Sequence, residues 1–272
     1  MTSENVPRYG FGKNWQDFLD HHLSEERLEV AKSHLLEFLR VDDLSGRRMI
    51  DVGCGSGLHS LAALQANVSE LFSFDYDANS VAATRRLHSL AGQPAHWHVE
   101  QGSVLDTAFL SQLGQFDIVY SWGVLHHTGD QWTAIRNASR LVAPGGLFYI
   151  ALYTSDFFVN RSPEFWLDVK RRYNQTGRLG RLAIETWYIA GIFANMLRRG
   201  ENPLTHVRTY KKKRGMSFLT DVRDWLGGWP MEFSSIQQVK DFARDDLKFD
   251  LENIATGHSN TEYLFKRPRA TT

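Results

Sequence analysis

Three closely spaced glycines, Gly53, Gly55 and Gly57, lie between the acidic Asp51 and the apolar run that begins at Leu58. Glycines between a strand and a helix let the chain turn tightly and let a ligand approach bare N–H groups. A dinucleotide fingerprint reads G-x-G-x-x-G, whereas this turn reads G-x-G-x-G, which suits a nucleotide-type ligand without a pyrophosphate. Asp75 closes the next strand, where a carboxylate can accept hydrogen bonds from two vicinal ribose hydroxyls. Asp77 reads as the cap of the following helix. Taken alone, the glycines fit a plain strand-to-helix connection equally well.

A second group lies further along. His126 and His127 follow the fourth strand, at the carboxyl edge where open α/β sheets take their ligands, and imidazole titrates near neutral pH. The same pair can also cap its loop through backbone hydrogen bonds. Tyr153 ends the fifth strand; a phenol with a pKa of about 10 orients a partner better than it removes a proton. Its alternative role is packing under the segment that follows.

The elements that must hold these residues follow from periodicity. Ser24, the acidic Glu25 and Glu26, and the spacing of Leu28, Leu35 and Leu39 predict a helix over 24–40. Short apolar runs then alternate with helical patterns. Strands are expected at 48–52, 71–74, 97–100, 117–121 and 147–152, and helices at 58–66, 78–90 and 130–142. This alternation means a parallel sheet covered by helices. Residues 155–233 lose it and carry aromatics, arginines and helical spacing, which reads as a helical insertion. A helix near 235–243 and strands near 249–254 and 262–266 follow, the last two as an antiparallel hairpin.

The chain has 272 residues, 31 Lys plus Arg and 31 Asp plus Glu, so no global field favours nucleic acid or an anionic membrane. The one cysteine, Cys54, excludes an internal disulfide and a multi-thiolate metal site. No Asp, Glu and His spacing suggests a metal cage, and adjacent His21 and His22 would point apart on a helix. No metal is expected. The polar start with Pro7 does not read as a signal peptide, and the apolar stretch 187–197 is interrupted by Asn195 and short for a bilayer. A cytoplasmic protein without stable membrane insertion and without a nucleic-acid partner is expected.

The blocks Asp51-Val52-Gly53-Cys54-Gly55-Ser56-Gly57, Phe74-Asp75-Tyr76-Asp77, Gly102-Ser103-Val104-Leu105-Asp106, Phe116 to His127, and Leu141-Val142-Ala143-Pro144-Gly145-Gly146 resemble, in order and spacing, the class I S-adenosylmethionine-dependent methyltransferases. The resemblance covers about residues 47–153 and 235–266. It implies a Rossmann-like, doubly wound, seven-stranded and mostly parallel sheet with an antiparallel last strand and a helical insertion between strands 5 and 6. It implies that Asp51 and the backbone of Gly53, Cys54, Gly55 and Gly57 hold the methionine part of S-adenosyl-L-methionine. Asp75 would hold the ribose, Tyr76, Ser103 and Val104 the adenine, and backbone at Ser121 and Trp122 the amino acid end. Many relatives carry Asp at the position of Ser103; a hydroxyl accepts the adenine amine bond more weakly.

The family's domain pattern implies an N-terminal helical segment over 1–45, in which an aromatic such as Trp15 closes over the cofactor. The cofactor-binding domain takes 46–154 and 234–272, and the insertion 155–233 forms a lid on the acceptor. The expected reaction is in-line methyl transfer to a small molecule, O-methylation before N-methylation, with His126, His127 or Tyr153 assisting. RNA or protein methylation and a non-catalytic binding protein are the rivals. The apolar segment 186–197 reads as a core or dimer helix, a hydrophobic lid or an interfacial helix. A homodimer through the insertion follows from the first of these. Arg208, Arg214 and Arg223 could fork onto an anionic acceptor.

Overall fold

The computed structural model describes residues 10, 24–157, 161–214, 217–257 and 260–269. Among these, the chain divides into two units, one of residues up to 157 and from 232 onward, the other of residues 161–231.

The larger unit begins with α1 (Glu25–Leu39), capped by Ser24, whose Oγ accepts from the Arg27 N–H at 3.3 Å. It continues through β1 (Arg48–Val52), α2 (Leu58–Gln65), β2 (Glu70–Asp75), α3 (Ala78–Leu90) and β3 (Trp97–Gln101). A single helical turn, α4 (Thr107–Leu110), then leads to β4 (Phe116–Trp122), α5 (Gln131–Arg140) and β5 (Val142–Tyr153). With β6 (Asp250–Thr256) and β7 (Asn260–Lys266) near the end of the chain, the strands form one seven-stranded sheet of order β3-β2-β1-β4-β5-β7-β6. Strands β1 to β5 pair in parallel, while β7 runs antiparallel to both β5 and β6. The seven-stranded, mostly parallel sheet with an antiparallel last strand is therefore as the sequence implies.

The central strands read as continuous apolar runs because both of their faces are covered. Adjacent residues point to opposite faces. Ile50, Val119, Phe148 and Ile150 join one core with Leu125, Ile135 of α5 and Val239 of α10 (Ile236–Asp241). Met49, Ile118, Tyr120 and Tyr149 join the other with Leu35 and Phe38 of α1, Ala63 of α2 and Leu87 of α3. From β1 the chain winds outward to β2 and β3, then returns to the other side of β1 for β4. Strand order reverses there, and the glycine turn opens into that crevice.

Two boundaries differ from expectation. β5 begins at Val142, which pairs with Phe116, ahead of the expected start at Leu147; the β4 ladder is irregular between Val142 and Leu147, where the Gly145 N–H donates to the Arg267 carbonyl at 2.9 Å. A Cβ at Gly146 would lie 2.9 Å from the Ala143 oxygen and 3.0 Å from the Asp117 oxygen, so the glycine is a close-packed strand residue. The helix expected to end at Ala243 runs on as a π turn over Phe242–Leu247, stopped by Lys248 at φ 58.

The smaller unit holds α6 (Pro163–Gln175), α7 (Arg178–Arg198), α8 (Pro203–Arg214) and α9 (Phe218–Gly227). Tyr173, Phe218, Val222 and Leu226 form its buried core, with Ile184, Ile189, Ile192 and Phe193 of α7 packed against them. The apolar segment 186–197 is thus one face of a longer helix that supplies core contacts. Glu185 accepts from the Tyr173 hydroxyl at 2.7 Å and pairs with Arg223 at 3.2 Å. Arg223 is engaged within the unit through its Nε, which donates to both Glu185 oxygens. Among the described residues no helix is long and apolar enough to cross a membrane.

Candidate functional site

The turn after β1 is held open by its own backbone. Gly53, Gly55 and Gly57 have φ of 80, 54 and 79. The Gly53 and Cys54 N–H groups donate to the Phe74 carbonyl at 2.8 and 3.1 Å, which ties the turn to β2. A Cβ on Gly53 would lie 2.3 Å from Val124 Cγ1. That contact shows both why the residue is glycine and that the segment preceding the histidine pair lies against the turn.

Asp75 sits beside the turn. Its Oδ2 accepts from the Gly55 N–H at 2.9 Å and its Oδ1 from the Asp77 N–H at 2.9 Å. Each oxygen keeps a further lone pair. Burial pushes the carboxyl up to about 6, against the lowering effect of those backbone donors. Asp51 is fully buried and accepts from Ser60 Oγ at 2.6 Å. Burial raises it to about 7; the Ser60 bond opposes that rise and the neighbouring Asp75 adds to it. The Cys54 thiol is buried, pushed well up by that burial, and accepts from Thr84 Oγ1 at 3.2 Å. It is a packing group, not a nucleophile.

The other residues expected at the cofactor fall on neighbouring strand ends. Tyr76 is exposed at the end of β2, and Ser103 follows β3, its Oγ accepting from the Leu105 N–H at 3.2 Å. Val104 is buried, and its carbonyl accepts from Asn137 Nδ2 at 3.0 Å. Ser121 Oγ donates to the Val52 carbonyl at 2.9 Å, so its side chain staples β4 to β1 and leaves only its backbone for the crevice. Trp122 is exposed, with its ring stacked 6.4 Å from His59. Trp15 lies outside the described residues.

The structure brings the three proposed assisting residues together. His126 and His127 form a 3-10 turn with Leu125, directly after the Val124 that touches Gly53. The His126 ring is 4.4 Å from that of His127 and 4.3 Å from that of Tyr153, and His127 lies 5.8 Å from Tyr153. His126 is fully buried; His127 and Tyr153 are partly exposed.

Two further residues support this turn. The Glu232 N–H donates to the His126 carbonyl at 2.8 Å, and Glu232 Oε2 accepts from the Gln131 N–H at the start of α5, also at 2.8 Å. Phe233 reaches the Tyr153 ring at 6.3 Å. No spacing signal in the sequence links either to the histidines. Among the described residues no group of three His, Cys, Asp or Glu side chains could hold a metal ion.

The chain is similar to several known methyltransferases. A ubiquinone biosynthesis O-methyltransferase from Xanthomonas euvesicatoria pv. vesicatoria is 35% identical over 146 residues, 53% of this chain and 53% of that protein. A tRNA U34 carboxymethyltransferase from Idiomarina loihiensis is 32% identical over 107 residues, 39% of this chain and 32% of that protein. The chain thus spans about half the length of the first of these relatives and about a third of the second. In fold it is similar to magnesium protoporphyrin IX methyltransferase from Synechocystis with bound S-adenosylhomocysteine, with a TM-score of 0.56, 13% identity, and coverage of 94% of this chain and 93% of that one. A methyltransferase from Aquifex aeolicus gives a TM-score of 0.51 at 11% identity, covering 94% and 98% of the two chains. The family described as a methyltransferase domain matches residues 21–248, and with that span, the sheet order and the glycine turn on β1, the chain belongs to the class I S-adenosylmethionine-dependent methyltransferases.

Proposed function

We propose that the chain transfers a methyl group from S-adenosyl-L-methionine to a hydroxyl of a small molecule, with a small-molecule amine as the alternative acceptor. The observation that carries this reading is the contact of Gly53 with Val124, which joins the donor-type turn to the His126–His127–Tyr153 stack. The hydroxyl preference draws support from the similarity to a ubiquinone biosynthesis O-methyltransferase.

The residues fit the donor: the glycine turn presents bare backbone, and beside it Asp75 Oδ2 accepts from the Gly55 N–H while keeping a further lone pair for a ligand. When bound, S-adenosylmethionine supplies an electrophilic methyl group on a sulfonium. In this reading Asp51 and the backbone of Gly53, Cys54, Gly55 and Gly57 hold its methionine part, and Asp75 accepts from the ribose hydroxyls. Tyr76, Ser103 and Val104 line the adenine, and backbone at Ser121 and Trp122 meets the amino acid end.

Most of the rate comes from alignment, which is worth roughly 7–11 kcal/mol for well-oriented reactants. His127, the more exposed imidazole, takes the acceptor's hydroxyl proton, and a positioned base adds roughly 10²–10⁴-fold. Buried His126 and the Tyr153 hydroxyl orient it. We assign acceptor choice to residues 155–233, whose exposed Trp187 and Leu197 leave apolar surface for recognition.

The test is transfer of an isotope-labelled methyl group to a panel of hydroxylated and aminated small molecules, with the methylated atom located by NMR. O-methylated product is expected. Tight donor binding with no labelled product across the panel would overturn the reading. His127→Ala should lower kcat about 100-fold at unchanged donor affinity.

A further inference from the structure

Behind the donor turn a line of buried polar side chains leads to Asp51. Trp97 Nε1, at the start of β3, donates to Ser73 Oγ of β2 at 2.9 Å. Ser73 Oγ lies 2.8 Å from Ser60 Oγ of α2, and Ser60 Oγ donates to Asp51 Oδ2 of β1 at 2.6 Å. Trp97, Ser73, Ser60 and Asp51 are all buried, and Asp51 and Ser73 are register partners on the same sheet face.

The protons in this line have one direction. An indole nitrogen can only donate, so Ser73 Oγ must accept from Trp97. The single proton of Ser60 goes to Asp51, so the Ser73 proton goes to Ser60. Every donor in the line therefore points toward the carboxylate. Running it the other way, with Asp51 protonated on Oδ2 and donating, would leave the Ser73 proton without an acceptor in the line. The arrangement favours the ionised carboxylate at a position where burial opposes it.

We propose that Trp97, Ser73 and Ser60 form a one-way hydrogen-bond relay that orients the Asp51 carboxylate and keeps it ionised for the donor. This rests on the reading of Asp51 as a donor-holding residue. The three are positioning residues, acting through Asp51. The other titratable groups facing Asp51 are Asp75, Cys54 and Tyr120, each interacting with it electrostatically. None of these is cationic, so among the described residues the relay supplies the stabilisation that no neighbouring positive charge gives.

The test is the affinity for S-adenosylhomocysteine, measured by calorimetry from pH 5.5 to 9, for the wild type, Ser60→Ala, Ser73→Ala and Trp97→Phe. Wild-type affinity should fall as pH drops through the Asp51 titration. Ser60→Ala should bind about ten-fold more weakly near neutral pH, the scale of one lost hydrogen bond to a charged group, and its fall should begin at higher pH. Trp97→Phe keeps an aromatic ring while removing the N–H together with the five-membered ring; it should shift the profile in the same direction by a smaller amount. Ser60→Thr, which restores a hydroxyl, should return the profile toward wild type. A wild type that does not bind S-adenosylhomocysteine would overturn the donor reading and the relay with it. Wild-type binding with unshifted pH profiles in folded Ser60→Ala and Trp97→Phe proteins would overturn the relay alone.

Discussion

At Gly53 two independent constraints coincide: a left-handed φ of 80 and a Val124 side chain where a Cβ would go. Backbone strain at such a position costs on the order of 1–3 kcal/mol, and the clash adds to it. Gly53→Ala should therefore lower Tm and weaken S-adenosylhomocysteine binding, and Val124→Ala in the same chain should recover part of the Tm by removing the clash. Unchanged calorimetric affinity in Gly53→Ala would show that the turn does not approach the ligand. The glycine spacing, Asp51 and Asp75 were legible in the sequence because the chemistry of a tight turn beside a carboxylate is written in a few consecutive residues. Val124, Glu232 and Phe233 were not, because their roles arise from chain returns that bring distant residues against Gly53, His126 and Tyr153. The relay through Ser73 and Trp97 was hidden for the same reason: one serine and one tryptophan on strands carry no local pattern.

At the level of elements, α6 and α9 meet through a buried lysine. Lys170 donates to the Trp225 carbonyl near the C-terminus of α9, with its ammonium 3.9 Å from the centre of the Trp225 ring, and Asn174 Nδ2 donates to the Gly227 carbonyl at 2.9 Å. Two otherwise orphaned carbonyls of a helix end are thereby satisfied. Burial lowers Lys170 from its usual 10.5 to about 7. The unfolded chain then binds the proton that the folded chain has released, so stability is fully present above the unfolded value and lost as pH falls through about 7. Chemical denaturation should show the protein gaining stability between pH 7 and 9.5, and Lys170→Met should flatten that rise. A slope unaffected by the substitution would refute the assignment. Periodicity found most elements of the sheet, since covered strands and amphipathic helices repeat what they bury. It missed the first part of β5, where Pro144 and two glycines lie in an irregular stretch of the ladder between Val142 and Leu147, and the π turn after α10, which has no distinct period.

For the whole molecule, the net charge of zero leaves no long-range field to gather an anionic polymer, which favours the small-molecule acceptor over RNA. The residues assigned to the donor, from Asp51 to Trp122, all belong to the larger unit, while α6 to α9 pack around a core of their own. A ligand that binds only the folded state stabilises it by about 2.7 kcal/mol at one hundred times Kd. That stabilisation reaches only the segments whose opening releases the ligand. With S-adenosylhomocysteine at that excess, hydrogen exchange should slow at residues 48–57, 70–77 and 101–105, and stay unchanged across 161–214 and 217–231. Equal slowing in both sets would mean that the helical unit opens together with the donor site, and that donor binding is felt by the segment assigned to the acceptor. Slowing confined to the first set would mean that donor and acceptor recognition are energetically separate, so that residues 155–233 could change acceptor without loss of the donor.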